Sequence, residues 1–266
     1  TTGIRISTNS LAPVLISQNT LLSSTTALHL EHSTGLNILA NTINTSNISI
    51  FIFNTSNGII ANNTLNQNSI GILAESSTLS LYDTRISNTT QAIHLNDTTK
   101  PPGTYALYNI TFNTVLGESI RLTDAFNTVI NNTQAPGFVV FVNATTATRI
   151  NLTRQVNFTT NTSLLGILRI GNRTVGINTT NAIDLNQSAI LTLTSISLTN
   201  PRPERKAEDS NFSICPSSIC INISYNASSL VYIYNVTGFS EYSAGQPPVI
   251  VSITPNATAF SADTAV

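Results

Sequence analysis

Short apolar–polar alternations recur along the chain, as in Ile4-Arg5-Ile6, Leu28-His29-Leu30 and Ile93-His94-Leu95. Alternation with Ile, Leu, Val and Thr predicts strands with one face inward and one outward. Clusters of Gly, Asn, Ser and Thr between the runs are turn formers. The runs return at a fixed interval. Ile16-Ser17-Gln18-Asn19-Thr20-Leu21, Ile38-Leu39-Ala40-Asn41-Thr42-Ile43 and Ile60-Ala61-Asn62-Asn63-Thr64-Leu65 start 22 residues apart. Such a period marks a repeat architecture. It is too short for a strand plus a crossover helix but suits two or three short strands with tight turns. Coils of this kind stack about 4.8 Å apart into a parallel β-solenoid. The predicted fold is therefore all-β, a parallel β-helix over residues 1–200.

Downstream the phrase degrades but continues at Leu81, Leu107, Val129 and Arg149, with a further pass from Ala182 to Leu198, giving an expected eight or nine coils. The widest step contains Lys100-Pro101-Pro102-Gly103, read as a loop at one corner. Asn19, Asn41 and Asn63 fall one coil apart and are expected to stack as a ladder. Each would hydrogen-bond the turn amides above and below, and would supply the left-handed conformation of a sharp corner.

Charged residues make up only 9% of the 266 residues, and the net charge is −1. No basic surface points to nucleic acid or an anionic membrane, and no apolar run is long enough for a transmembrane helix. Solubility then needs another source. About 20 Asn-x-Ser/Thr sequons are present, where composition alone gives about nine. They are Asn44, Asn47, Asn54, Asn62, Asn88, Asn96, Asn109, Asn131, Asn143, Asn151, Asn157, Asn161, Asn172, Asn178, Asn186, Asn211, Asn222, Asn226, Asn235 and Asn256. N-glycans on these sites would hydrate the rod. The three ladder asparagines are not sequons, as a buried ladder beside a glycosylated exterior requires. The composition suits an exported, processed product with its signal peptide removed, and resembles archaeal cell-surface proteins.

The apolar-x-Asn-x-Thr-apolar phrase beside Gly/Ala-Ile-x-Leu resembles the right-handed parallel β-helix repeats of the NosD-like, carbohydrate-binding and sugar-hydrolase superfamily. The resemblance covers about three quarters of the chain and implies fold far more than function. Hydrolases and lyases of this kind need clustered carboxylates. The best constellation here is Glu31 and Glu75, two coils apart with Phe53 between, beside His29 and His32. It is poor, and the Asp-Asp, Gly-His-Gly and Arg-x-Lys patterns of pectin-cleaving relatives are missing. No catalytic residue, cofactor or metal is expected. Cys215 and Cys220 read as a disulfide-closed turn, since a lone C-x₄-C pair lacks two ligands for a metal.

Residues 201–210 hold six of the 23 charged residues and read as a solvated boundary. Beyond them, 201–246 is expected to form a disulfide-containing hairpin cap, with strands near 219–223 and 230–234. Residues 247–266 are expected to form a terminal strand or tail behind Pro247-Pro248. Self-association is expected to be head to tail, with that tail or the hairpin covering a neighbour's first coil. The expected function is a glycosylated extracellular structural subunit of a filament, sheath or surface layer. The alternatives are a glycan-binding adhesin, favoured if an aromatic strip around Tyr105, Tyr108 and Phe112 is exposed, and, less well supported, a polysaccharide lyase or hydrolase.

Overall fold

A computed structural model describes residues 2–7, 13–98, 103–206 and 211–246. Its strands wind into three sheet faces. Thr2–Ser7, Thr26–Glu31, Ile48–Phe53 and Ile70–Glu75 stack in parallel on the first face. Val14–Ser17, Leu36–Leu39, Gly58–Ala61, Thr78–Tyr82, Thr104–Tyr108 and Thr128–Asn131 form the second. Thr20–Leu22, Thr42–Asn44 and Thr64–Asn66 begin the third. The longer strands Arg85–Asn96 and Thr111–Thr123 each run across the third face and into the first. About six coils of roughly 22 residues result, fewer than the eight or nine expected.

Each coil buries the inward half of its alternation. Leu28, Leu30, Leu36, Ile38 and Ile43 are completely buried, and the next coil repeats them as Ile50, Ile52, Ile60 and Leu65. Each such side chain contributes about 1.5–3 kcal/mol. Where Gly58 takes its place in the column between Leu36 and Leu79, the Leu79 side chain fills the gap: a Cβ there would lie 2.3 Å from Leu79 Cδ2.

The parallel stack stops at Phe138–Val142, not near residue 200. The chain reverses through 143–148, with Asn143 N–H donating to Thr148 O at 2.9 Å and Asn143 Oδ1 accepting from Thr146 N–H at 3.1 Å. It then winds back over the last coil. Arg149–Leu152 pairs antiparallel with Phe138–Val142, Val156–Phe158 with Thr133–Ala135, and Thr162–Ser163 with Thr128–Asn131. All three faces thus receive an antiparallel strand on their last parallel edge, as an exposed sheet edge requires. The Arg149 phrase and the 182–198 pass, expected as coils, are instead antiparallel strands Arg149–Leu152 and Ala189–Leu193 with a 3₁₀ turn at Ile183–Leu185 between them. Alternation reports which side chains face inward; it is blind to strand direction.

The first face continues antiparallel through Ala189–Leu193 and Val231–Val236 to Cys220–Asn226, the expected hairpin. A separate five-stranded antiparallel sheet contains Leu168–Ile170, Val175–Ile177, Glu241–Gly245, Arg202–Lys206 and Ser213–Ile214. Half of the charged run read as a solvated loop is therefore the strand Arg202–Lys206, paired with Glu241–Gly245. The Pro247–Val266 segment and Asn256 lie outside the described residues.

Candidate functional site: the asparagine corners

Every coil turns through left-handed residues. At the corner leaving the second face these are Gln18, Ala40, Asn62, Asp83, Asn109 and Asn132, with φ between 43° and 58°. The ladder asparagines follow them by one residue, so the left-handed position expected at Asn19, Asn41 and Asn63 belongs to the preceding residue. Asn, Asp and Gln there hold their side chains in solvent, while the next side chain turns inward.

The ladder itself is continuous over three coils. Asn41 Oδ1 accepts from the backbone N–H and the Nδ2 of Asn19, both at 3.0 Å. Asn63 Oδ1 accepts from the backbone N–H of Asn41 at 2.9 Å and from its Nδ2 at 3.1 Å. Asn41 Nδ2 donates to Ile16 O at 2.9 Å, and Asn63 Nδ2 to Ile38 O at 2.8 Å. Both asparagines are buried to 1% exposure. Stacking satisfies corner groups that no strand pairing reaches. Above Asn63 the column continues as Thr84, Ile110 and Thr133, with Ile110 N–H donating to Thr133 Oγ1 at 3.3 Å.

Sequence reading missed a second inward corner. Asn68, 3% exposed, accepts from Ser46 N–H at 2.8 Å. Its Asn-Ser-Ile context, like those of Asn41 and Asn63, is not a sequon, and that was the available signal. It also missed a buried cluster around Asp97. Tyr105 Oη donates to Asp97 Oδ1 at 2.8 Å, Gly103 N–H to Asp97 Oδ2 at 2.9 Å, and Ser77 N–H to Tyr105 Oη at 3.2 Å. Burial holds the Asp97 carboxyl above its ordinary value despite these bonds.

Nineteen of the sequon asparagines are described, all but Asn256, and none is buried. Four of them, Asn54, Asn62, Asn88 and Asn109, occupy left-handed corner positions where the side chain leaves the rod. At Asn96, Asn178 and Asn226 the side-chain oxygen accepts from the backbone N–H of the sequon's own hydroxyl residue, at 3.2, 3.2 and 3.0 Å. Asn151 and Asn235 are more sheltered: each lies within a strand, with a buried Oδ1 that has no partner. By contrast, the three buried asparagines among the described residues, Asn41, Asn63 and Asn68, are all outside sequons.

Cys215 and Cys220 form a disulfide, with Cα atoms 5.9 Å apart. The turn between them closes on Pro216 O, which accepts from Ile219 and Cys220 N–H at 2.9 Å each.

Glu31 and Glu75 do share the first face, in register with Phe53 between them. The Phe53 ring separates the carboxylates and packs edge-on against His32. Glu31 is engaged by His29 Nε2 and, at 3.5 Å, by Arg5, and the His29 bond holds its carboxyl below the usual range. Among the described residues no three His, Cys, Asp or Glu side chains group closely enough to hold a metal, and no helix is long and apolar enough to cross a membrane. Of the expected aromatic cluster, Tyr105 and Phe112 are core residues. Tyr108 instead stacks outward on Tyr82, ring centroids 5.2 Å apart.

Compared with known proteins, the chain matches no family model, no curated protein and no solved structure.

Proposed function

We propose that this chain is a heavily N-glycosylated structural subunit of an extracellular filament, sheath or layer, assembled head to tail through its β-solenoid. We further place it with the NosD-like parallel β-helix superfamily, as a member that acts through its stiffness and not through catalysis. The observation that supports the reading is the segregation of asparagines: those in sequons line the outside, and the buried ones are all outside sequons. A rod whose surface carries almost no charge is then hydrated by sugars, while its interior ladders hold the coils in register. Disulfide Cys215–Cys220 agrees with an oxidising compartment.

Electron microscopy of native material, with intact glycopeptide mass spectrometry on the same sample, tests this. Continuous fibres or sheets with sugars on most sequons are expected. Dispersed single rods with few sugars would overturn both the structural role and the glycan coat.

A further inference from the structure

The five-stranded sheet near the C-terminal end carries a cleft of about 800 Å³. Its floor is a row across four adjacent strands: Arg169 pairs with Gly176, Gly176 with Glu241, and Glu241 with Lys206. At strand spacing the row spans about 14 Å. Gly176 has no side chain, so the row has a gap between Arg169 and the rest. A Cβ there would come within 3.3 Å of Glu241 Cα and Ser240 O.

Charge is concentrated here in a chain that has little of it. Arg169 and Lys206 flank Glu241, the single carboxylate among the described lining residues, and Arg205 also lines the cleft. Glu241 Oε2 is shared between Arg169 Nη1 at 3.8 Å and Lys206 Nζ at 3.6 Å, both long contacts. Arg205 Nε is buried and finds no acceptor. One carboxylate thus serves two cations loosely, and a third keeps a buried donor unsatisfied, which is costly unless something else accepts from it. Asn178, Thr179, Thr180 and Ser240 supply hydroxyl and amide groups to the rim, beside apolar Ile167, Ile177 and Phe239.

We infer that this cleft binds an acidic oligosaccharide, a short sugar chain bearing carboxylate or sulfate groups. The two flanking cations suit anionic groups spaced along such a chain, Arg205 offers the missing donor, and the hydroxyl rim suits a ligand that is itself hydroxyl-rich. A single small anion would fill little of the volume. The inference stands independently of filament assembly. The sugar has two possible sources: an external polysaccharide, or a glycan carried on Asn178, whose sequon lies on the rim.

The test is calorimetric titration of the full chain, made without glycans, with tetragalacturonate, its methyl ester and tetraglutamate. Binding of tetragalacturonate alone is expected, weakened about tenfold or more by R169Q/K206Q and by Arg205→Gln, and unchanged by Arg149→Gln outside the cleft. Arg169 is largely exposed, so its variant keeps the fold, and matching thermal melts verify this. Equal binding of the methyl ester, equal binding of tetraglutamate, no binding at all, or indifference to the cleft variants would each overturn the inference. Repeating the titration on the native glycoprotein and its N178Q variant separates the sources. Binding only after N178Q identifies the Asn178 glycan as occupant, and binding to both identifies an external chain.

Discussion

The parallel coils and the antiparallel region after Val142 solve one problem in two ways. In the coils, corner groups are satisfied by the same position one turn away. Asn19, Asn41 and Asn63 bond along the axis at a sequence separation of 22, and Ser46 with Asn68 does likewise. After Val142 the partners are individual and do not repeat. Tyr225 Oη donates to Ile196 O at 2.8 Å, Phe239 N–H to Asn186 Oδ1 at 2.9 Å, and Asn143 Nδ2 to Ile170 O at 2.9 Å. The cores differ accordingly. Ile and Leu columns fill the coils, whereas Tyr232, Tyr234 and Tyr242 fill the C-terminal part. Repetition makes a corner cheap to specify, because one residue type serves every coil. Irregular packing instead needs large side chains whose polar tips must be met one by one, as Tyr234 meets Ser243 O and Tyr242 meets Gly238 O.

The sharpest way to break this comparison is to cut the ladder. Asn63→Ala strands Asn41 N–H and Ile38 O in a buried corner, at about 1–3 kcal/mol each. A loss of about 3 kcal/mol in urea unfolding is expected. Asn132→Gly is the control, since Asn132 is exposed, Gly accepts its left-handed φ of 43°, and its side chain bonds only the surface side chain of Asn109. Its expected change is below about 0.5 kcal/mol. Equal effects from the two would mean that the ladder is decoration and the strands alone hold the coils.

This difference also explains what was legible. The period, the inward columns, the ladder at 19, 41 and 63, and the cysteine pair follow from spacing and alternation, which repetition amplifies. The reversal at 143–148 does not. Ile150 and Leu152 alternate inward as they would in a further coil, and direction is decided by the turn at Asn143, which a sequence shows once. The strand Arg202–Lys206 hides for a related reason. Its charges read as solvent-facing, but the partner of Lys206, Glu241, lies far along the chain. Neither that pairing nor the cleft above Gly176 has a local signature. The Asp97–Tyr105 cluster is hidden by its own irregularity, since its loop interrupts the period.

Acidity offers a probe confined to the coils, because His29, His32 and His94 are the chain's only histidines and all lie there. Burial, with Arg121 nearby, lowers the pKa of His94 to about 4. The folded value is below the unfolded one, so between pH 6.5 and 4 the unfolded chain binds a proton that the folded chain excludes. Stability from this group is therefore full above 6.5 and lost as pH falls through that window. Asp97 acts oppositely: burial raises its carboxyl, which favours the folded state as pH falls, so the histidine's share is read from a variant and not from the bare slope. Going from pH 7 to pH 5 should cost about 2 kcal/mol through His94. His94→Gln should remove that loss from the urea midpoint. An unchanged pH slope in the variant would place the acid sensitivity elsewhere.

The smallest effect probes the irregular region. Tyr232 is fully buried, yet its hydroxyl has no partner among the described residues, whereas Tyr234 Oη donates to Ser243 O at 3.2 Å. The rings lie close, with centroids 5.1 Å apart, so the two sites share one environment and differ in that one bond. Removing an unsatisfied buried hydroxyl relieves a desolvation cost, whereas removing a bonded one leaves Ser243 O unpaired. Tyr232→Phe is thus expected to stabilise by up to about 1 kcal/mol and Tyr234→Phe to destabilise by about 1 kcal/mol. Thermal melts of the two variants decide it. Opposite signs would show that the Tyr232 hydroxyl is stranded in this packing while its neighbour's is not. Equal losses would mean that the Tyr232 hydroxyl has a partner after all.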